Sequence, residues 1–394
     1  MSEAYDVIVL GGGIVGTSTL FHLADLGAKR TLLLERGELA SGGTGKSCAN
    51  IRTHYSILSN TDLAVRSLEM IRDLKHVLDD PDADAGFVNS GYLILAEEGD
   101  TATQLAANLA LQREHGAMTE QVSADQVLEL HPLLDVSDVA AIGYEPESGY
   151  ADPHMTTHSL ARAAKRRGAE IRTGTSVAEI IEERGEVRGV RTSAGPIYAP
   201  SVISALGPWT QALTGPLGIE IPLATYRHTV LTLEGAEPYR NDLPIVKDLT
   251  VENKMYFRSE AETLLVGTGD SGVSISDPDD MDAIPDPELI ALQSRQVAHR
   301  VPSFRGARIA NAWFGPYDVT PDWNPVIDQA PGISGLLLAF GFSGHGFKLA
   351  PAVGRMLAQL ALGRPRDVDI SPYSLSRFIE GRQLTGVYGA GSIS

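Results

Sequence analysis

The chain has 394 residues, which is long enough to bury the cores of two or three domains. Of these residues, 43% are hydrophobic and 21% are charged, as in an ordinary globular protein. Its formal net charge of −18 disfavours binding to the phosphate backbone of nucleic acid. The single cysteine, Cys48, excludes an internal disulfide and a multi-cysteine zinc site. The start lacks a basic leader and no apolar run reaches about 18 residues, which predicts a cytoplasmic protein without a membrane span.

The first predicted unit is a strand, a glycine-rich turn, a helix and a second strand that ends at Glu35. A largely apolar stretch, residues 5–10, leads into the turn. Residues 17–26 have helical character, and residues 31–34 form the second apolar run. The predicted dinucleotide-binding turn consists of Gly11, Gly13, Ile14, Val15 and Gly16. Its helix N-terminus offers N–H groups to phosphates, and Glu35 can accept the hydroxyls of an adenosine ribose. A carboxylate there disfavours the 2′-phosphate of NADP.

Further elements follow in chain order. The sequence predicts a glycine-rich loop over 40–47, helices over 61–78, 101–115 and 154–167, and a strand-like stretch over 86–97. Short strands are predicted over 170–172, 176–181, 187–191 and 197–204. Residues 223–267 alternate like a half-exposed antiparallel sheet. The last predicted elements are a helix over 286–301, a strand over 336–340, a glycine turn over 341–346 and a helix over 347–362.

This order predicts an interrupted α/β architecture with a strand-rich insertion. A nucleotide-binding domain is expected from residues 1–84, 150–215 and 310–372. A substrate-binding domain is expected from residues 85–149 and 216–309. The tail, 373–394, has no predicted partner and is expected to be partly mobile.

Several segments carry a resemblance to a known family: residues 7–16 with Glu35, the loop 41–55, the stretch 150–177, and the blocks 317–325 and 341–348. They resemble the D-amino-acid-oxidase-like FAD oxidoreductases, and within these the sarcosine oxidase branch. The resemblance implies FAD rather than NAD as the bound dinucleotide. It also implies a Rossmann-like FAD-binding domain of the GR2 type, into which an antiparallel β-sheet substrate domain is inserted.

By this resemblance, FAD contacts are expected well beyond the first turn. The turn before the last helix presents N–H groups that would stabilise the negative charge of a reduced flavin. The further expected cofactor-binding residues are Arg36, Gly43, Thr44, Lys46, Ser47, Val177, Gly207, Trp209, Gly344, Gly346, Phe347 and Lys348. Relatives tether flavin at positions that correspond to Gly315 or Lys46 here, and neither residue can form such a bond. Non-covalent FAD is therefore implied, with Cys48 as a buried thiol.

The resemblance also implies the substrate-binding residues. Arg52 and Lys348 match positions that hold the substrate carboxylate in sarcosine oxidases. A carboxylate that loses its hydration needs charge-assisted hydrogen bonds, which a guanidinium fork and an ammonium supply. Tyr317 and Tyr256 match the cavity tyrosines. His345 is a candidate hydrogen-bond donor or base, and His54 is a weaker one.

Two departures from the branch bear on the electron acceptor, which is O2 or an electron carrier. Leu265 stands where sarcosine oxidases carry an oxygen-activating lysine, and Gly269 replaces a nearby histidine. A cation near the flavin stabilises superoxide as it forms, so its loss predicts slow reaction with O2 and favours a dehydrogenase. Ala49 and Gly269 also predict room for a substrate larger than sarcosine.

No metal site is predicted. The acidic run 80–84 continues with Ala85 and Gly91 where a calcium loop needs glycine and glutamate. The second acidic run, 277–282, has no calcium-loop spacing either.

Together these features predict an FAD-dependent enzyme that oxidises the C–N bond of an N-substituted (N-methyl) or cyclic amino acid. Hydride would pass to flavin N5, and water would hydrolyse the imine. One alternative is an FAD-dependent 2-hydroxy-acid dehydrogenase, for which His345 or His54 would be an essential base. Others are a subunit of a heteromeric amine dehydrogenase complex and a non-catalytic FAD- or NAD-binding protein. The sequence leaves a monomer and a subunit of a complex equally open.

Overall fold

The computed structural model describes residues 3–269, 272–281 and 285–389. Asp282 of the second acidic run and residues 390–394 of the predicted tail lie outside the described residues. The strands are β1 Glu3–Ala4, β2 Val7–Leu10, β3 Thr31–Leu34, β4 Asn50–Ile51, β5 Tyr92–Ala96, β6 Glu120–Val122, β7 Ala141–Glu145, β8 Gly149–Tyr150, β9 Glu170–Arg172, β10 Val177–Glu183, β11 Glu186–Thr192, β12 Gly195–Tyr198, β13 Val202–Ser204, β14 Ala224–Glu234, β15 Ile245–Asp248, β16 Tyr256–Glu260, β17 Thr263–Gly267, β18 Val273–Ile275, β19 Arg308–Val319, β20 Val326–Gln329 and β21 Leu336–Phe340. The α-helices are α1 Ile14–Asp25, α2 Leu58–Arg72, α3 Leu74–Leu78, α4 Asp100–Glu114, α5 Ala124–Leu130, α6 Pro153–Arg166, α7 Thr210–Thr214, α8 Pro287–Arg300 and α9 Gly346–Ala361.

A six-stranded sheet, in the order β20-β21-β13-β2-β3-β9, carries the glycine-rich turn at the end of β2. Its pairs are parallel except β20 with β21. Side chains alternate between its faces: Val7 and Val9 pack with helices α1, α6 and α9, whereas Ile8 and Leu10 pack with the sheet β1-β12-β11-β10. Because both faces are covered at the centre of the sheet, β2 and β21 are apolar and buried throughout, whereas the edge strands β9 and β20 carry polar residues. The predicted Rossmann-like fold is confirmed.

Helix α1 begins at Ile14, within the predicted glycine-rich turn and earlier than predicted. Gly11 has a φ of +105°, and a Cβ there would lie 2.4 Å from the carbonyl oxygen of Ala205. A Cβ on Gly16 would lie 1.9 Å from the carbonyl oxygen of Gly11. Both positions therefore require glycine, as the motif predicts.

The second layer is a nine-stranded sheet in the order β18-β14-β17-β16-β15-β5-β7-β6, with β19 also paired to β14. Its pairs are antiparallel, as predicted, except for β5 with β15, which run parallel. These two strands are far apart in the chain, so no hairpin imposes the antiparallel direction. Strand β19 pairs with β14 along its length, although the predicted nucleotide-binding segment 310–372 includes most of it.

Two predicted elements are divided in the structure. Residues 197–204, predicted as one strand, form the end of β12 and all of β13, which belong to different sheets. Pro200 lies between them and lacks the N–H group that a continuous strand would use. The helix predicted over 61–78 is interrupted at Asp73, between α2 and α3.

The C-terminal segment, which we define as residues 371–389, packs against the protein rather than remaining loose. Arg377 is fully buried and donates to both carboxylate oxygens of Asp322, at 2.8 and 2.9 Å. The Leu384 N–H donates to the same carboxylate at 3.0 Å. Tyr388 joins an apolar cluster beside Tyr92. The expectation that the tail has no partner was wrong for these residues, because their partners lie far away in the sequence.

Within the described ranges, no helix is both long and apolar enough to cross a bilayer. Over the same residues, no group of three or more His, Cys, Asp or Glu side chains is arranged to hold a metal ion.

The buried pair of Arg377 and Asp322 generates a stability prediction. Replacing Arg377→Met should lower the free energy of unfolding by about 3–5 kcal/mol, because it leaves a carboxylate buried without its cation. Arg382→Met is the matched control: its partner Glu380 is exposed, so we expect little or no loss. Urea unfolding measures both, and equal losses would contradict the prediction.

Candidate active site

A cavity of about 520 Å³ lies between the two large sheets. The glycine-rich turn, the loop 41–50 and the turn before α9 contribute to its wall. The nine-stranded sheet contributes residues of β14, β15, β16 and β19. The cavity therefore brings the nucleotide-binding motif and the strand-rich region together, and its size suits a ligand rather than water alone.

Most of the predicted site residues line this cavity, whereas Gly16 and His345 do not. Gly16 lies behind the turn, against Gly11. His345 is fully buried, with its ring edge-on to Tyr55 at 5.3 Å between centroids. The predicted residues that line the cavity are Gly11, Gly13, Ile14, Val15, Glu35, Arg36, Gly43, Thr44, Lys46, Ser47, Arg52, Val177, Gly207, Trp209, Tyr256, Tyr317, Gly344, Gly346, Phe347 and Lys348.

The turn at the start of α1 has the features of a pyrophosphate cradle. A Cβ on Gly13 would lie 2.9 Å from Thr44 Oγ1. A side chain at this position would therefore collide with Thr44 unless Thr44 moved. The Ile14 N–H donates to the same hydroxyl at 3.1 Å. No acidic residue lies in the first turn of α1, which leaves the positive end of its dipole available to phosphates.

Glu35 is held rigidly at the edge of the cavity. Its carboxylate oxygens accept the N–H groups of Gly12 at 2.6 Å and Gly37 at 2.7 Å. Each oxygen retains a further lone pair, which can accept a ribose hydroxyl. The turn and this carboxylate fit an adenine dinucleotide such as FAD.

Asp279, from the second acidic run, forms part of this end of the cavity. It accepts hydrogen bonds from Arg36 at 2.9 and 2.5 Å and from Trp209 Nε1 at 3.0 Å. The Arg36 guanidinium also lies 4.5 Å from the centroid of the Trp209 ring. The hydrogen bonds from Arg36 lower the pKa of Asp279. No signal in the sequence indicated this role, because the partners of Asp279 belong to distant segments.

Arg52 and Lys348 lie in the same wall of the cavity although they come from opposite ends of the sequence. Arg52 follows β4, is 3% exposed and donates to the His54 carbonyl. Lys348 lies in the first turn of α9, with Nζ 3.4 Å from the Gly344 carbonyl. Burial, followed by the charges of Arg52 and Lys247, lowers the pKa of Lys348 well below its ordinary value. The two cations therefore lie close enough to repel each other.

Lys247 is a third cation in the wall, and sequence reasoning missed it. It pairs across β15 and β16 with Tyr256, its Nζ lies 5.3 Å from that ring centroid, and it donates to the Lys254 carbonyl at 2.5 Å. A Cβ on Gly269 would lie 2.7 Å from this Nζ. The space expected beside Gly269 is therefore filled, and that expectation was wrong. A lysine within a buried strand was the available signal.

An aromatic wall faces these cations. The His228 ring stacks on Tyr317, with 4.1 Å between centroids and 8° between planes. The Tyr256 hydroxyl lies 3.5 Å from His228 Nε2 and 3.2 Å from Cys48 Sγ. All four residues line the cavity. His228 was missed because its position depends on the register of β14 with β19.

The positions that correspond to covalent flavin sites lie side by side. A Cβ on Gly315 would be 3.6 Å from Lys46 Cβ, and both residues line the cavity. Cys48 is also in the wall, and burial raises the pKa of its thiol. A thiol in this state is a poor nucleophile. We therefore expect none of the three to provide a tether.

Comparison with known proteins gives the family. Residues 6–360 match the family described as DAO, FAD dependent oxidoreductase. The chain belongs to this family. It is thus an FAD-dependent oxidoreductase, and the FAD expected from the sequence is confirmed.

Individual relatives are similar over nearly the whole chain. Human mitochondrial sarcosine dehydrogenase is 29% identical, covering 95% of this chain and 41% of that protein. The 4-methylaminobutanoate oxidase (formaldehyde-forming) of Paenarthrobacter nicotinovorans is 29% identical, covering 94% of this chain and 45% of that protein. The chain thus spans less than half the length of these two relatives. The crystal structure of L-proline dehydrogenase from P. horikoshii superposes with a TM-score of 0.88 at 28% identity, covering 97% of this chain and 99% of that one.

The absence of a tethering side chain at Gly315 and Lys46 predicts non-covalent FAD. Acid precipitation should release all the flavin into the supernatant and leave a colourless pellet. Absorbance of the two fractions measures this. Yellow colour that stays with the denatured protein would overturn it, and a Cys48→Ser variant would then test the remaining thiol.

The depressed pKa of Lys348 predicts how carboxylate binding depends on pH. The protonated ammonium attracts an anion, and this attraction is lost as the pH rises through the lowered pKa, well below 10.5. The affinity for acetate, followed by the flavin spectrum, should therefore fall as the pH rises through this lowered pKa. Lys348→Arg keeps its charge and should retain the affinity over this range. The same fall in both proteins would contradict the assignment.

Proposed function

We propose that the protein oxidises the C–N bond of an N-substituted, N-methyl or cyclic amino acid. The observation that carries this proposal is the position of Arg52 and Lys348, both buried in the cavity that the glycine-rich turn also lines. A carboxylate that enters such a cavity loses its water and gains two cationic donors in exchange. The same carboxylate relieves the repulsion between the two side chains. An amino acid is thus favoured over an amine without an acid group.

The relatives support an amino-acid substrate of this kind. The names of two relatives refer to sarcosine and 4-methylaminobutanoate, and the name of the superposed structure refers to L-proline. These names describe N-methyl or cyclic amino acids. For this chain, the substrate class stays a proposal, since two of those relatives are more than twice as long.

The cavity also favours the reactive form of the amine. FAD, when bound, accepts the hydride that leaves the carbon next to nitrogen. The nitrogen must be unprotonated to share its lone pair with that carbon, and nearby positive charges disfavour an ammonium. Arg52, Lys247 and Lys348 supply those charges. Loss of the hydride leaves an iminium ion, which water hydrolyses to a carbonyl group and an amine. In a cyclic substrate both groups stay in one molecule.

The two histidines expected to serve the hydroxy-acid alternative receive no support from the geometry, and among the described residues His228 is the histidine that lines the cavity. Oxidation of an alcohol needs a base within hydrogen-bond reach of the hydroxyl. The two histidines expected for that role, His345 and His54, are fully buried and do not line the cavity. Burial and the charge of Arg52 lower the pKa of His54 to about 3. Such an imidazole is a weak base.

Anaerobic mixing of the holoprotein with a panel of substrates tests the proposal. The panel contains N-methyl amino acids, proline, pipecolate, glycine and, as the alternative class, 2-hydroxy acids. We expect one or more of the amines to bleach the yellow flavin band. Lys348→Met should weaken binding of the active amine by roughly 10- to 200-fold, because a hydrogen bond to a charged group is lost.

Lys165→Met is the matched control, since Lys165 is exposed on α6 and should leave binding unchanged. FAD content is measured for each variant to separate lost substrate binding from lost cofactor. Bleaching by 2-hydroxy acids alone, or equal losses in both lysine variants, would contradict the proposal.

The electron acceptor depends on cations near the flavin. Leu265, on β17, packs in an apolar cluster with Cys48 and Tyr256 and supplies no charge, whereas Lys247, on β15 two strands away, lines the cavity. We propose an electron carrier as acceptor on the basis of Leu265. Admitting air to the bleached protein checks this, because rapid return of the yellow colour would make the protein an oxidase.

A further inference from the structure

We propose that Tyr388, in the C-terminal segment, is a positioning residue that fixes Arg52 and Lys247, two of the three cations of the cavity, from outside the cavity. This inference rests on the proposed function, since Arg52 is one of the two proposed carboxylate-binding residues and Lys247 lies beside them. Tyr388 does not line the cavity and touches neither cation in the contacts described below. It acts through His54 and Lys254, whose carbonyl oxygens accept hydrogen bonds from the two cations.

The first connection runs from the Tyr388 side chain to Arg52. The Tyr388 hydroxyl lies 3.1 Å from His54 Nε2, and the two rings are 5.6 Å apart. Burial lowers the pKa of His54 to about 3, so its imidazole is neutral and can accept a hydrogen bond from the Tyr388 hydroxyl. The backbone carbonyl of His54 accepts from the Arg52 guanidinium. Tyr388 therefore fixes His54, and the His54 carbonyl in turn holds the Arg52 guanidinium.

The second connection runs from the Tyr388 backbone to Lys247. The Tyr388 carbonyl accepts from Lys254 Nζ at 2.7 Å. The Lys254 carbonyl in turn accepts from Lys247 Nζ at 2.5 Å. One residue of the C-terminal segment is thus linked to two cations, Arg52 in the loop after β4 and Lys247 on β15.

The segment is itself well anchored. The ion pair of Arg377 with Asp322 fixes it to the loop after β19, the strand that carries Tyr317. Tyr388 is only 8% exposed and packs with Tyr92 and Ile245 of the nine-stranded sheet. Because the segment is anchored in this way, the Tyr388 hydroxyl is held in place beside His54.

Such an arrangement has a clear energetic consequence. Arginine and lysine side chains lose considerable rotamer freedom when they are fixed on a ligand. If contacts already made in the free protein restrict these side chains, less entropy is lost when the carboxylate binds. Tyr388 should therefore affect the affinity for the carboxylate and leave the oxidation step unchanged.

The test compares Tyr388→Phe, which removes only the hydroxyl, with the wild-type holoprotein. We expect the Kd for acetate and the KM for the active amine to rise about three- to tenfold, as for loss of one neutral hydrogen bond. The kcat at saturating substrate, the FAD content and the thermal midpoint should stay near wild type. Val387→Ala, a change at a 48% exposed neighbour in the same segment, is the matched control and should change none of these values.

The possible failures are distinguishable. If wild type binds acetate and Tyr388→Phe binds it equally well, the positioning role is overturned and the proposed function stands. A fall in kcat and FAD content without a change in Kd would also overturn it, because that pattern indicates a general structural role. If wild type itself shows no spectral response to acetate or to any amino acid, the proposed function is contradicted, whatever the variant does.

Discussion

The burial of like charges in one wall of the cavity is the constraint on which the site depends. Arg52, Lys247 and Lys348 are each no more than 7% exposed and line the same space. Holding cations so close together out of water is costly, and the depressed pKa of Lys348 reflects that cost. An incoming carboxylate would offset it. The fold therefore maintains a strained electrostatic arrangement that a suitable substrate relieves.

Three parts of the fold maintain this arrangement. The six-stranded sheet places α9, and with it Lys348, next to the glycine-rich turn. The nine-stranded sheet supplies Lys247 and the aromatic wall. The C-terminal segment connects the two, from the ion pair of Arg377 to the contacts of Tyr388. The dinucleotide end and the cationic end of the cavity thus belong to one connected structure.

Local patterns predicted many elements well. Strands β3, β9 and β21 have the predicted bounds, because each is a short apolar or alternating run between clear turn signals. The predictions failed where a distant partner decides the outcome. Strand 197–204 changes sheets at Pro200, β5 joins β15 in parallel, and the C-terminal segment depends on a carboxylate 55 residues away. None of these partners is visible in a window of neighbouring residues.

The sequence by itself determined the dinucleotide turn, since Gly11 and Gly16 are needed for backbone approaches that no Cβ allows. Through family resemblance it also indicated Arg52 and Lys348. Only the tertiary structure revealed Lys247, His228 and Tyr388 as parts of the site or its support. Their positions depend on the register between strands and on contacts across hundreds of residues. Such contacts arise when the sheets and the C-terminal segment pack together, and no local preference of the chain encodes them.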